Sequence, residues 1–155
     1  GLRVLSKDGD LSIARPQIHR AARDLPRCDV AAVCLKTTRN RLLPELLPSA
    51  VKSESVVLMM QNGLGIEADA LAVLPRHTIL GGLAFLCSNK VGPGEIHHLD
   101  YGAVRFAEHR GDGRPAGITP AMLAVAADFK HAGIPTVLED DLVLVVGSSN
   151  PTEGT

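Results

Sequence analysis

The sequence has no tryptophan, one tyrosine (Tyr101) and three phenylalanines, so aromatic residues make up only 3% of its 155 positions. A surface that stacks the bases of single-stranded nucleic acid needs more rings than this. An excess of one charge is missing too, because 16 Lys+Arg nearly balance 17 Asp+Glu for a formal net charge of −1. Duplex binding draws on a basic surplus, so nucleic acid is set aside as a partner. Long hydrophobic runs are absent as well. The longest reach about six or seven residues, against the ~20 that cross a bilayer, and the opening residues do not read as a targeting segment. Cysteine is scarce: Cys28, Cys34 and Cys87 are odd in number and never form C-x-x-C. They read as reduced thiols of a cytoplasmic protein, with Cys34 and Cys87 in the core, and neither a disulfide scaffold nor a zinc ribbon fits.

What is present is an ordinary globular composition, 45% hydrophobic and 21% charged, of a length that suits one domain. Residues 2–6 and 11–13 predict a small hairpin around Asp8-Gly9. A connector with at most one helical turn follows to residue 28. Val30 to Leu35 and Ser55 to Met60 are unbroken apolar runs, each predicting a strand buried on both faces. The first leads into a helix starting near Arg41, with Pro44 in its first turn, and the second into a helix over 66–74. A third strand starts at Thr78. This alternation of strands and helices predicts crossovers and a parallel sheet. Residues 94–99 and 103–107 predict an antiparallel edge hairpin turning at Asp100-Tyr101-Gly102. Thr119 caps a helix that runs to Ala132 and carries Met122, Val125, Ala126 and Phe129 on one face, and residues 134–138 form a last short strand. Residues 143–155 read as an irregular tail.

The chemically suggestive segment is Gln61-Asn62-Gly63-Leu64-Gly65, which ends a buried strand. Ligands of open α/β sheets bind at such carboxyl ends. Glycines let backbone approach a ligand, and an Asn amide both donates and accepts. The same residues would also serve as a plain turn into a helix, and their types alone leave both readings open.

A wider pattern extends beyond this loop. Leu35-Lys36-Thr37-Thr38, Gln61-Asn62-Gly63-Leu64-Gly65, Gly81-Gly82, Pro93-Gly94-Glu95-Ile96-His97-His98, Gly102, Ala132-Gly133-Ile134-Pro135 and Asp140-Asp141-Leu142 follow one another. In order and spacing this resembles the 2-dehydropantoate 2-reductases (ketopantoate reductases). The resemblance implies an NADPH-dependent reduction of a 2-oxo acid to pantoate, in pantothenate biosynthesis. It also implies a Rossmann-type nucleotide-binding domain followed by a helical domain. Carried over by position, Leu35 and Lys36 border the cofactor, Asn62 and Gly63 lie beside its ribose and nicotinamide, and Ala84 lines the nicotinamide side.

Two departures shape the expectation. The family's G-x-G-x-x-G loop is not in this sequence, nor is the basic residue that meets the 2′-phosphate. After Asp140-Asp141-Leu142 the family continues into a helix whose lysine donates a proton, whereas residues 143–155 contain no Lys or Arg. The fold expected is therefore an incomplete Rossmann-type parallel sheet with antiparallel edge hairpins. Residues 1–142 form a partial NADP-binding domain that lacks the first βαβ unit and the helical domain, and contains no catalytic residue of its own. The exposed sheet edge favours self-association. A non-catalytic remnant or interaction module, or another Rossmann-type dehydrogenase, is the alternative. His97, His98 and His109 invite a metal, but adjacent histidines on a strand point to opposite faces, so none is assigned.

Overall fold

A computed structural model describes residues 1–147 of the chain. Strands β1 (Leu2–Ser6) and β2 (Leu11–Ile13) form the opening hairpin, with Gly9 at φ 124° in its turn. Next come β3 (Cys28–Val33), helix α1 (Leu43–Ala50), β4 (Val51–Met59) and α2 (Ile66–Val73). The long strands β5 (Thr78–Gly92) and β6 (Glu95–Glu108) are followed by α3 (Pro120–His131), β7 (Thr136–Leu138) and α4 (Leu142–Gly147). Together the strands make one seven-stranded sheet in the order β2-β1-β6-β5-β4-β3, with β7 also on β6. β3, β4 and β5 run parallel, as crossover helices require, and β5 and β6 are antiparallel.

Alternation along β4 and β5 divides the core between the two faces of the sheet. Val57, Met59 and Ile79 pack with Leu43, Leu47, Ile66 and Ala70 from α1 and α2. Leu58, Leu80 and Phe106 pack with Met122 and Val125 from α3 and Val145 from α4. Thr119 caps α3 as its sequence predicts: Oγ1 accepts the Met122 N–H at 3.4 Å and donates to Glu108 Oε2 at 2.6 Å. Gly133, at φ 74°, closes the same helix.

The structure corrects the expected elements at four points. β4 is covered on both faces, but β3 is not: Val30 and Ala32 are exposed, because helices reach only one side of this edge strand. Cys34 and Cys87 are exposed rather than core residues. The former follows the edge strand, and the latter lies on the part of β5 that extends beyond both cores.

The expected turn at Asp100-Tyr101-Gly102 is a bulge inside continuous β6, and the hairpin turns at Pro93-Gly94 instead. Tyr101 adopts φ 61° and Gly102 φ 139°. The bulge turns the Asp100 and Tyr101 carbonyls onto His98 Nε2, at 3.1 and 2.7 Å. A carbonyl only accepts, so Nε2 carries the hydrogen, and Nδ1 is hydrogen-bonded to Ser6 Oγ at 2.8 Å. The bulge also divides the outer edge of β6, which pairs with β1 over residues 95–98 and with β7 over 104–106.

Finally, residues 142–147 are helical where an irregular run was expected, and Val145 is buried. Asp141 Oδ1 accepts the Val143 N–H at 3.0 Å and starts this turn. The remainder of the expected tail, 148–155, lies outside the described residues.

Candidate functional site at the sheet crest

Parallel β3 and β4 end side by side, in register from Val30↔Val56 to Val33↔Met59, so the loops that follow them meet at one crest. Buried Gln61 joins those loops. Its Nε2 donates to the Leu35 carbonyl at 2.6 Å and to Asn40 Oδ1 at 2.9 Å, and Asn40 Nδ2 donates to Asp69 Oδ2 at 2.8 Å on α2. Gly63 sits at φ 154°, and a Cβ there would press on Thr37 Cγ2 at 3.2 Å and Ile66 Cγ2 at 3.1 Å. Only glycine lets the two loops come this close. Gly65, at φ 73°, then starts α2.

Asn62 and Gly63 border a cleft of about 200 Å³ whose other walls include Gln61, Glu67, Gly81 and Gly82. Asn62 is exposed, leaving its amide available to a ligand. Gly81 and Gly82 are buried on β5 where neighbouring side chains leave no space for a β-carbon. A Cβ on Gly81 would overlap Glu67 Oε1 and Leu142 Cδ1, and one on Gly82 would lie 2.6 Å from Met60 Sδ.

Glu67 is the charged group of this region, only 3% exposed in the first turn of α2. Burial pushes its carboxyl above the ordinary 4.5, opposed by its own backbone N–H and by nearby His109. Glu67 also lines a second, larger cavity of about 380 Å³, between the 64–67 loop, residues 108–114 and the start of α4.

The five residues singled out from the sequence are not all in one place. Asn62 and Gly63 line the crest cleft. Leu35 is held beside it through its carbonyl, and Lys36 is exposed at the start of the turn 37–42, accepting the Arg39 N–H at 2.8 Å. Ala84 is exposed on β5 opposite Val104, past the Gly81-Gly82 floor, and does not line the cleft. Sequence reasoning passed over Gln61 and Glu67. For Glu67 a signal existed: residues 67, 70, 71 and 74 are spaced as one helical stripe, which places the acid on the buried side. Among the described residues no His, Cys, Asp or Glu group could hold a metal, and no helix is long and apolar enough to cross a membrane.

Comparison with known proteins agrees with this architecture. The chain is 49% identical over 144 residues to a 2-dehydropantoate 2-reductase of Nostoc sp., covering 93% of this chain and 45% of that protein. A second, from Halobacterium salinarum, is 29% identical over 140 residues, covering 89% of this chain and 44% of the relative. The chain thus spans less than half the length of the curated relatives it matches. Among solved structures, the crystal structure of 2-dehydropantoate 2-reductase from Geobacter metallireducens superimposes with a TM-score of 0.83 at 35% identity, covering 94% of this chain and 47% of that one. A family model for ketopantoate reductase PanE/ApbA matches residues 1–111, and with the Rossmann-like sheet and its crest cleft in place, the chain belongs to that family.

Proposed function

We propose that residues 1–142 supply the nicotinamide-side crest of an NADPH-dependent reductase acting on a 2-oxo acid of the 2-dehydropantoate type. The observation that carries the reading is the exposed Asn62 amide over a glycine-floored cleft at the end of a parallel strand. The residues fit a nucleotide group at the rim of the cleft, where the exposed Asn62 amide can both donate and accept and Gly63 beside it carries no side chain. Asn62 and Gly63 would hold the cofactor, with Leu35 and Lys36 along its border and Ala84 further down β5. When bound, NADPH supplies a hydride to a carbonyl carbon. The protein's own contribution is to orient and exclude water. Gln61 fixes the spacing of the two crest loops, Asn62 offers a donor and an acceptor, and Lys36 places a positive charge on the solvent side.

Protonation of the new alkoxide requires an acid within reach of the oxygen. Residues 143–155 contain no Lys or Arg, so this chain by itself is inactive in our reading. Exposed free thiols at Cys34 and Cys87 support a cytoplasmic setting. Titrating NADPH into the chain, followed by cofactor fluorescence, tests the site. Asn62→Ala should weaken binding by ~1 kcal/mol, about fivefold, and Lys36→Ala should weaken it as well. Affinity unchanged by both substitutions would overturn the assignment, and oxidation of NADPH by a 2-oxo acid would overturn the inactivity.

A further inference from the structure

The second cavity, of about 380 Å³, shares only Glu67 with the Asn62 cleft, and nothing in the proposed reaction uses the rest of its lining. Its size falls at the lower end of small-molecule sites. One wall is apolar, formed by Leu64, Leu142 and Val143. Most of its charged groups already have partners. Glu108 accepts from Thr119, Arg110 is held to Asp112 at 3.3 Å, and Asp141 accepts from the Val143 backbone.

Two groups are left over. Glu67 is 3% exposed and forms no ion pair with Lys or Arg among the described residues; its carboxyl is met by its own backbone N–H, and His109, another lining residue, is nearby. Arg114 lines the same cavity, and among the described residues its guanidinium has no ion pair. A buried carboxylate with so little compensation costs free energy unless something else supplies a positive group. Free acid, free base and apolar wall together define a complement.

We propose that this cavity is a binding site for a small zwitterion with a branched aliphatic body, of the amino-acid class. Its ammonium sits on Glu67, its carboxylate faces Arg114, and its side chain rests on Leu64, Leu142 and Val143. Glu67 lines both cavities, whereas Arg114 takes no part in the Asn62 cleft, so the Arg114 arm of the test is separate from the cofactor reading.

Isothermal titration of the 155-residue chain with three matched probes tests it: L-leucine, 3-methylbutylamine, which has only the cation, and 4-methylpentanoate, which has only the anion. Leucine should bind about tenfold more tightly than either, one charge-assisted contact being worth that much. Arg114→Ala should reduce leucine to the level of the amine and leave the amine unaffected. Glu67→Gln, nearly isosteric, should reduce leucine to the level of the acid and leave the acid unaffected. Equal binding of all three probes, no binding at millimolar concentration, or leucine affinity that ignores Arg114→Ala in a chain that still binds NADPH would each overturn the proposal.

Discussion

Removing the Gln61 side chain should loosen the crest by a predictable amount. Gln61→Ala deletes two hydrogen bonds, to the Leu35 carbonyl at 2.6 Å and to Asn40 Oδ1 at 2.9 Å. At ~0.5–1.5 kcal/mol each they sum to about 2 kcal/mol. Against this, Gln61 Oε1 is buried with no hydrogen-bond partner among the described residues, and its removal returns ~1 kcal/mol. The net loss is then about 1–2 kcal/mol, once the small cavity left behind is included. In a urea titration that is a midpoint shift of roughly 0.5–1 M with the slope unchanged. The Asn40 bond can be isolated by a double-mutant cycle. In an Asn40→Ala background, the cost of Gln61→Ala should fall by about 1 kcal/mol. A stability loss below ~0.5 kcal/mol, or strictly additive substitutions, would refute the claim that Gln61 ties the two loops together.

Two further outcomes follow from groups described above. Glu67 has its folded carboxyl raised above 4.5 by burial, so its contribution is intact below that pH and is lost as pH rises through the folded value. Glu67→Gln should therefore match the parent in stability in acid and exceed it progressively toward neutrality; a difference independent of pH would rule this out. The outer edge of β3 is unpaired among the described residues, with Val30 and Ala32 exposed beside it. We expect concentration-dependent association in light scattering, suppressed by Ala32→Lys, whereas a strict monomer at all concentrations would refute it.

How much of this was legible in the sequence depended on how local the cause was. The β4 run Ser55 to Met60 and the Thr119-Pro120 start of α3 are determined by neighbouring residues, and both formed as read. β3 has an equally apolar text, Val30 to Leu35, but whether a strand is covered on its second face is decided by elements elsewhere in the fold. Asp100-Tyr101-Gly102 has turn chemistry, and its positive φ angles are real. What converts the expected turn into a bulge is the pairing of β6 with β1 on one half and β7 on the other, which no window of sequence contains. At the site, Asn62 and Gly63 were visible because their types are unusual at a strand end. Gln61 and Glu67 were not, because their roles come from partners 26 and 14 positions away, Leu35 and Gly81.

The packing of Glu67 against Gly81 also bears on how this protein can drift. The carboxyl occupies the volume that any β-carbon at position 81 would need, and Leu142 closes the same space from α4. The two sites therefore form a lock and ward whose dimensions are inherited jointly. Lineages that enlarge residue 81 should shift or shorten residue 67 in step.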